Sequence, residues 1–338
     1  MGIIYNEKAK TFTLHTQNTT YQMQIDAYGF LLHLYYGRKT DGVMDYLLTY
    51  ADRGFSGNPH DTGNDRTYSL DVLPQEFPCR LTGDFRSPVL DLVNADGSFG
   101  CDLRYQGYEI CDGKYNLKGL PAVYAAEEEA QTLIIYMKDQ VTGLQVELLY
   151  GVLPEYDVIT RSAKMVNTEE DKIRLTKAQA ACIDLLHGEF DVISFYGRHA
   201  MERNMQRTSV GHGAFVIGSR RGTSSHQYNP FVMLADKNAT ETSGECYGFS
   251  LLYSGNFLAA AEKDQFDQTR LIMGIHPENF EFLLKEGEKI TCHLRIEKNL
   301  TAPVKKGQKI GQVTFSLGEL VLDNYFVTAD RNIVKITY

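Results

Sequence analysis

Thr132-Leu-Ile-Ile-Tyr-Met-Lys138 and Leu144-Gln-Val-Glu-Leu-Leu-Tyr150 decide the fold class. The first is dense in β-branched and aromatic residues, and the second alternates apolar with polar, which sends one set of side chains to each face of a strand. Working outward, the same texture recurs in Thr11-Phe-Thr-Leu-His-Thr16, Tyr21-Gln-Met-Gln-Ile-Asp26, Leu31-Leu-His-Leu-Tyr-Tyr36 and Asp157–Asn167. Ala122-Val-Tyr124, just before Glu127-Glu-Glu129, is read in the same way. Gly, Asn and Asp close these runs, and long helical periodicity is nearly absent. The expectation is an all-β chain of antiparallel sheets packed face to face.

The 338 residues suffice for two ordinary domains or one large β-domain. Lys and Arg number 34 against 43 Asp and Glu, so the net charge is −9 and nothing draws the chain to phosphate backbones or anionic lipid. Neither nucleic acid nor membrane is expected as a partner. No run reaches the roughly 20 apolar residues of a membrane span, and Met1–Lys8 lacks a basic-then-apolar leader, so the expected compartment is the cytoplasm. The six cysteines, Cys79, Cys101, Cys111, Cys182, Cys246 and Cys292, are scattered without a Cys-x-x-Cys pair, which suits reduced, mostly buried thiols.

Residues 50 to 110 read as polar loop, and Ser219–Pro230 as a second such stretch; both are candidate contact surfaces. The first holds Asp52, Asp61, Asp65, Asp71 and Asp84 beside His60, Arg53, Arg66 and Arg86. Paired carboxylates are what glycoside hydrolysis uses, but Asp and Arg in turns equally cap backbone groups and pair with one another. His212 and His226 stand near hydroxyl residues without a Gly-x-Ser-x-Gly elbow, and the histidines lack metal-ligand spacing. The residues alone therefore give no self-contained catalytic constellation, no metal site and no cofactor.

From Ile290 the composition turns Lys-rich where the rest is acidic. Cys292–Ile296, Lys309–Phe315, Leu320–Val327 and Ile333–Tyr338 read as four short strands, too few to be stable alone.

Several motifs carry a family resemblance. Asp52-Arg-Gly-Phe-Ser-Gly-Asn-Pro59, Asp65-Arg-Thr-Tyr-Ser-Leu-Asp-Val-Leu-Pro-Gln-Glu-Phe-Pro78, Thr82-Gly-Asp-Phe-Arg-Ser-Pro88, Val158-Ile-Thr-Arg-Ser-Ala163, Ser219-Arg-Arg-Gly-Thr-Ser-Ser-His-Gln-Tyr-Asn-Pro230 and Tyr247-Gly-Phe-Ser-Leu-Leu-Tyr-Ser-Gly-Asn-Phe257 occur in order. In these, residues 1–288 resemble the N-terminal domain of glycoside hydrolase family 36 α-galactosidases, the melibiases. The resemblance implies a large β-supersandwich that precedes a (β/α)₈ barrel carrying both catalytic aspartates. No strand–helix alternation of that kind is present in this sequence, so no catalytic residue is assigned. It also implies that an Asp in the Asp-Arg-x-Phe-Ser loop reaches a galactose pocket and that the domain helps build an oligomer. Asp52 matches that Asp; with Arg53 and Arg66 it forms the expected substrate-binding set, for α-galactosides.

Residues 289–338 resemble the C-terminal β-domain of D-alanyl-D-alanine carboxypeptidases, through Asn299-Leu-Thr-Ala-Pro-Val-Lys-Lys-Gly-Gln-Lys-Ile-Gly-Gln-Val313 and Phe326-Val-Thr-Ala-Asp330. The Ser-x-x-Lys and Lys-Thr-Gly elements of acyl-enzyme chemistry are missing. The expected function is a non-catalytic α-galactosidase module, working in a homo-oligomer or with a separate barrel-bearing chain. The competing reading is a stand-alone carbohydrate-binding or oligomerisation protein, and a third is a cell-wall protein directed by its tail.

Overall fold

A computed structural model describes residues 2–52, 54, 57–117, 119–286, 290–296, 305–317 and 320–328. They form two compact units: Met1–Tyr115 with Val123–Glu286, and Asn116–Ala122 with Gly287–Tyr338.

The first unit opens with an antiparallel meander, β1 (Ile3–Asn6), β2 (Thr11–His15), β3 (Thr19–Ile25) and β4 (Leu31–Arg38), in that spatial order. β2 shows why it forms: Phe12 and Leu14 are fully buried while Thr13 and His15 are only partly so, the period-2 pattern of a half-buried strand. An irregular tract from Lys39 to Val89 follows, with single turns of 3₁₀ helix at Asp45–Leu47 and His60–Thr62.

After β5 (Leu90–Val93), a second meander runs through β6 (Leu103–Asp112), β7 (Gln131–Asp139), β8 (Leu144–Leu153) and β9 (Val158–Asn167). Here Leu133, Ile135 and Met137 stand opposite Tyr150, Leu148 and Val146. All six face the core, and each large side chain so buried contributes about 1.5–3 kcal/mol.

The third and fourth sheets interleave in sequence. β10 (Ile173–Leu185), β11 (Phe190–Arg198), β12 (Met201–Ser209), β13 (Gly213–Ser219), β14 (Tyr228–Asp236), β15 (Cys246–Ser250), β16 (Phe257–Lys263), β17 (Thr269–Ile275) and β18 (Phe282–Leu284) follow in turn. One sheet has the order β12-β11-β14-β15; the other has β13-β16-β17-β10-β18, with β5 also pairing β10. β10 bulges between Gln179 and Ala181, and a Cβ on Gly274 opposite would stand 2.7 Å from the Gln179 Cα. Only glycine allows that approach.

The all-β expectation holds, but the supersandwich is corrected: the unit is a four-bladed, propeller-like arrangement. Two long facing sheets would need continuous ladders. Here local hairpins close each sheet after a few strands and bulges bend β10, so twisted sheets gather round one shared core drawn from all four. Two further corrections concern the loops. Ala122–Tyr124 is irregular rather than strand, and the 50–110 stretch contains β5 and most of β6.

Among the described cysteines, Cys79, Cys101 and Cys182 are buried thiols and Cys111 and Cys246 are exposed ones; none forms a disulfide. The second unit contains a three-stranded antiparallel sheet, β19 (Ile290–Ile296), β20 (Lys309–Leu317) and β21 (Leu320–Thr328). The expected fourth strand, Ile333–Tyr338, lies outside the described residues. No helix among the described residues is long and apolar enough to cross a membrane.

Candidate functional site

The irregular tract has no ladder to satisfy its backbone, so side chains anchor it. Glu76, with no exposed surface, accepts at Oε1 from the Tyr21 hydroxyl and the His33 Nδ1 (3.0 Å). At Oε2 it accepts from the Tyr150 hydroxyl (2.8 Å) and Arg161 Nη1 (2.9 Å). Burial alone would raise the carboxyl pKa; the Arg161 cation and these donors outweigh it and hold the pKa below its ordinary value.

A second anchor joins Asp84, Asp184, Arg86 and Arg270. Arg270 donates to Asp184 Oδ1 (2.7 Å) and Asp84 Oδ2 (2.8 Å), Arg86 Nε donates to Asp84 Oδ1 (2.9 Å), and the Gln75 amide donates to Asp184 Oδ2 (2.8 Å). Against the opposing effect of burial, the two arginines bring the Asp184 pKa down to about 2. Asp264, 3.6 Å from Arg86, is the third acid beside two cations, and desolvation moves its pKa upward. A third anchor is Asp26, whose Oδ2 accepts from the Tyr68 hydroxyl (2.5 Å) and Oδ1 from the Tyr28 and Phe30 amides (2.9 and 2.8 Å).

These anchors present the loop of Thr49–Thr67. Leu48 is buried at its start, Tyr68 at its end, and Tyr50 stacks on Tyr68 with centroids 6.4 Å apart. Across the two legs Arg66 Nη2 pairs with Asp52 Oδ1 at 3.1 Å, both side chains more than half exposed. The structure thus brings Asp52 and Arg66 together; Arg53 lies outside the described residues. Asp52 Oδ1 also accepts from the Gly54 amide (2.8 Å). At 3.1 Å on an exposed loop, this pair contributes no more than about 1 kcal/mol to stability, leaving Asp52 and Arg66 open to a ligand's hydroxyls.

The other carboxylates of the stretch disperse. Asp61 pairs with Arg104 (2.9 Å), which also grips Asp102 (2.6 Å) and lies 3.9 Å over the Phe30 ring. That guanidinium holds the Asp61 pKa low. Asp65 caps its own turn through Thr67, Asp71 receives the Phe85 amide (3.0 Å), and Asp84 belongs to the buried anchor with Arg86. His212 lies 3.7 Å from Asp267, both side chains exposed. Among the described residues no three His, Cys, Asp or Glu side chains form a metal-sized group.

One cleft of about 850 Å³ opens beside the loop, lined by Gly57–Asp61, Leu81–Gly83, Phe85, Asn94–Asp96, Val141, Glu169 and Asp171 among others. Gly83 (φ +96°) makes it possible, since a Cβ there would collide with the Gly57 carbonyl oxygen. The alternation Asp84 in, Phe85 out, Arg86 in leaves the Phe85 ring 76% exposed on a fixed backbone. Sequence reading had no signal for this cleft, because its lining is drawn from separate segments scattered over more than a hundred residues of sequence.

Residues 29–285 match the glycosyl hydrolase family 36 N-terminal domain. The chain belongs to that family. Residues 263–335 also match the C-terminal domain of penicillin-binding protein 5, and the two matches overlap on β17 and β18, which sit in the first unit. The family 36 chain is 60% identical over 291 residues to the bifunctional alpha-galactosidase/sucrose kinase AgaSK of Mediterraneibacter gnavus, covering 86% of this chain and 31% of that protein. It is 42% identical over 290 residues to the alpha-galactosidase AgaA of Geobacillus stearothermophilus, covering 85% of this chain and 40% of that one. A probable alpha-galactosidase G of Aspergillus terreus aligns over 98% of this chain at 31% identity, and over 43% of its own length. The solved galactosidase domain of AgaSK superposes with a TM-score of 0.83, covering 85% of this chain and 40% of that one. The chain therefore spans about a third to two fifths of the length of these relatives.

Proposed function

We infer that this family 36 chain is the non-catalytic N-terminal module of an α-galactosidase, in which the Asp52–Arg66 loop contacts the galactosyl group of the substrate. The observation that carries the reading is the pairing of those two side chains across the legs of an anchored loop, in a chain 60% identical to the corresponding part of an enzyme named for that activity. Asp52 would accept from sugar hydroxyls and Arg66 would donate to them; Arg53 belongs to the same set on the sequence motif.

Hydrolysis itself needs a second partner. A glycosidase pair keeps one carboxyl protonated by a raised pKa, whereas, of the cleft's carboxylates, Asp61 is held low by its hydrogen bonds to Arg104 and Asp96 by its hydrogen bonds to Ser98. The bond-cleaving acids would come from a barrel, in the same assembly or on a separate chain. The proposed division of the chain is a module over 1–288 and a carboxypeptidase-like tail over 289–338, working in cytoplasmic carbohydrate metabolism.

The test is direct. The purified 338-residue chain should release no chromophore from a nitrophenyl α-galactoside above an empty-vector control. Turnover that co-purifies with the chain and is lost on substitution of its own carboxylates would overturn the non-catalytic assignment.

A further inference from the structure

Two of the three buried thiols among the described residues, Cys79 and Cys101, lie against each other. Both belong to the core cluster shared by the four sheets, each is 3% exposed, and the Cys101 thiol hydrogen-bonds the Cys79 thiol. Cys182, the third, turns to the Asp184 carboxylate instead (3.8 Å). Neither member of the pair is loosely held. Cys79 bridges Leu90 at the head of β5, its Sγ stands 3.7 Å from the Phe77 carbonyl oxygen, and its own carbonyl accepts from Thr82 Oγ1 (3.2 Å). Cys101 is fixed from both sides: the Gly100 carbonyl accepts from Asn94 Nδ2 (3.0 Å), and the Asp102 amide donates to Asp139 Oδ2 (2.8 Å). The contact between the sulfurs is therefore built into the fold.

The surroundings give the pair a route to solvent and an order of reaction. Thr82 and Cys101 both line the cleft of about 850 Å³, so a water-sized oxidant reaches the thiols from there. The hydrogen bond to Cys79, burial and the Asp139 and Asp102 carboxylates all push the Cys101 thiol pKa up. Cys101 thus keeps its proton and presents it to the Cys79 sulfur. A peroxide is attacked by a thiolate, which leaves Cys79 as the sulfur that reacts first.

We propose that Cys79 and Cys101 form a redox staple, in which a peroxide converts the hydrogen-bonded thiols into a disulfide that closes residues 79–101 into a loop. With hydrogen peroxide, a lone pair of the Cys79 sulfur forms the S–O bond as the O–O bond breaks, and the released hydroxide leaves as water with the former Cys79 proton. The Cys101 sulfur then attacks the Cys79 sulfenic acid, whose S–O bond breaks, and that hydroxide leaves as a second water with the Cys101 proton. Two electrons pass from the sulfurs to one peroxide. A thiol reductant reverses the change by exchange. The closed loop holds Leu81–Gly83, Phe85 and Asn94–Asp96 of the cleft lining, together with β5 and with Asp84 and Arg86 of the buried anchor. Oxidation therefore pins the cleft and the end of the irregular tract at once.

The test uses the full chain and hydrogen peroxide. Non-reducing digestion and mass spectrometry of the treated chain should find the Cys79 and Cys101 peptides joined, two hydrogens lighter than their sum, and separated again by dithiothreitol. The cross-link should lower the unfolding equilibrium constant about a hundredfold, read as a rise in the urea midpoint that dithiothreitol abolishes. Cys101→Ser should halt at a Cys79 sulfenic acid that dimedone traps, whereas Cys79→Ser should yield none at Cys101. Cys111→Ser/Cys246→Ser, which removes the two exposed thiols, should leave the bridge and the midpoint shift as in the wild type. A treated wild type whose Cys79 and Cys101 still alkylate after denaturation, or whose bridge joins other cysteines, would overturn the proposal, and that readout needs no variant to fold. So would a Cys79–Cys101 bridge that leaves the urea midpoint unmoved, or one that forms as fast in the urea-unfolded chain.

Discussion

The two meanders and the irregular tract between them are held by opposite means. In β1–β4 and β6–β9 ladders pair most of the interior backbone, and cohesion comes from alternating side chains such as Leu133, Ile135, Val146 and Leu148. Between Lys39 and Val89 ladders are almost absent, and the chain is tied down by Asp26, Glu76, Asp84 and Asp184, each filled with donors. The lesson is that a long loop can be made rigid with charge where it cannot be made rigid by pairing, provided each buried carboxylate meets enough cations and N–H groups. That rigidity is what fixes the legs that carry Asp52 and Arg66.

The largest effect should come from breaking an anchor. Asp184→Ala strands Arg270 beside Arg86 without its bidentate acceptor, and about 4 kcal/mol of unfolding free energy should be lost in a urea titration. Leu148→Ala, which empties a fully buried site in the second meander, should cost about 3 kcal/mol in the same assay. If the apolar substitution proved far the costlier, the tract would not be held by its charges.

Acid sharpens the contrast further. The Asp184 pKa is about 2 in the folded chain against 3.8 as the ordinary value, so its contribution is complete above about pH 4 and is lost as pH falls through 2. That shift corresponds to about 2 kcal/mol. Glu76 and Asp84 are lowered too and add loss of the same sign. Asp26 and Asp264 are raised by burial and act oppositely, stabilising as pH falls, so they offset part of it. Urea midpoints measured from pH 6 to pH 2 should therefore fall, and Asp184→Asn should flatten the slope. The smallest effect is expected at the Asp52–Arg66 pair itself, where Arg66→Ala should change stability by less than about 1 kcal/mol because Leu48, Tyr50 and Tyr68 hold the legs without it.

How much of this was legible in the sequence follows from the same contrast. β2 and β7, and β8 over Leu144–Leu148, bury one face and so write a period-2 pattern that can be read directly, whereas the burial of β3, β4 and β9 does not alternate. β6 and β12 are outer strands with mostly exposed side chains, and β5 is only four residues long, so none leaves a clear alternation. Arg161 joins Glu76 from 85 residues away, and Arg270 joins Asp84 from 186, distances over which no local spacing rule operates. The Asp52–Arg66 pair was reachable because both residues sit in motifs that travel together. The cleft was not, because an exposed Phe85 between two buried ions looks in sequence like any other loop residue.

β10 leaves one consequence for how the protein is made. It takes hydrogen bonds from β5 ahead of it and from β17 and β18 behind, so its two edges are completed only by residues 90–93, 269–275 and 282–284. A ribosome adding about 5–20 residues per second exposes β10 some seconds before its last neighbours emerge. The nascent chain must wait through that interval with a long apolar strand uncovered. Chaperone dependence during synthesis should therefore end abruptly once Leu284 clears the exit tunnel.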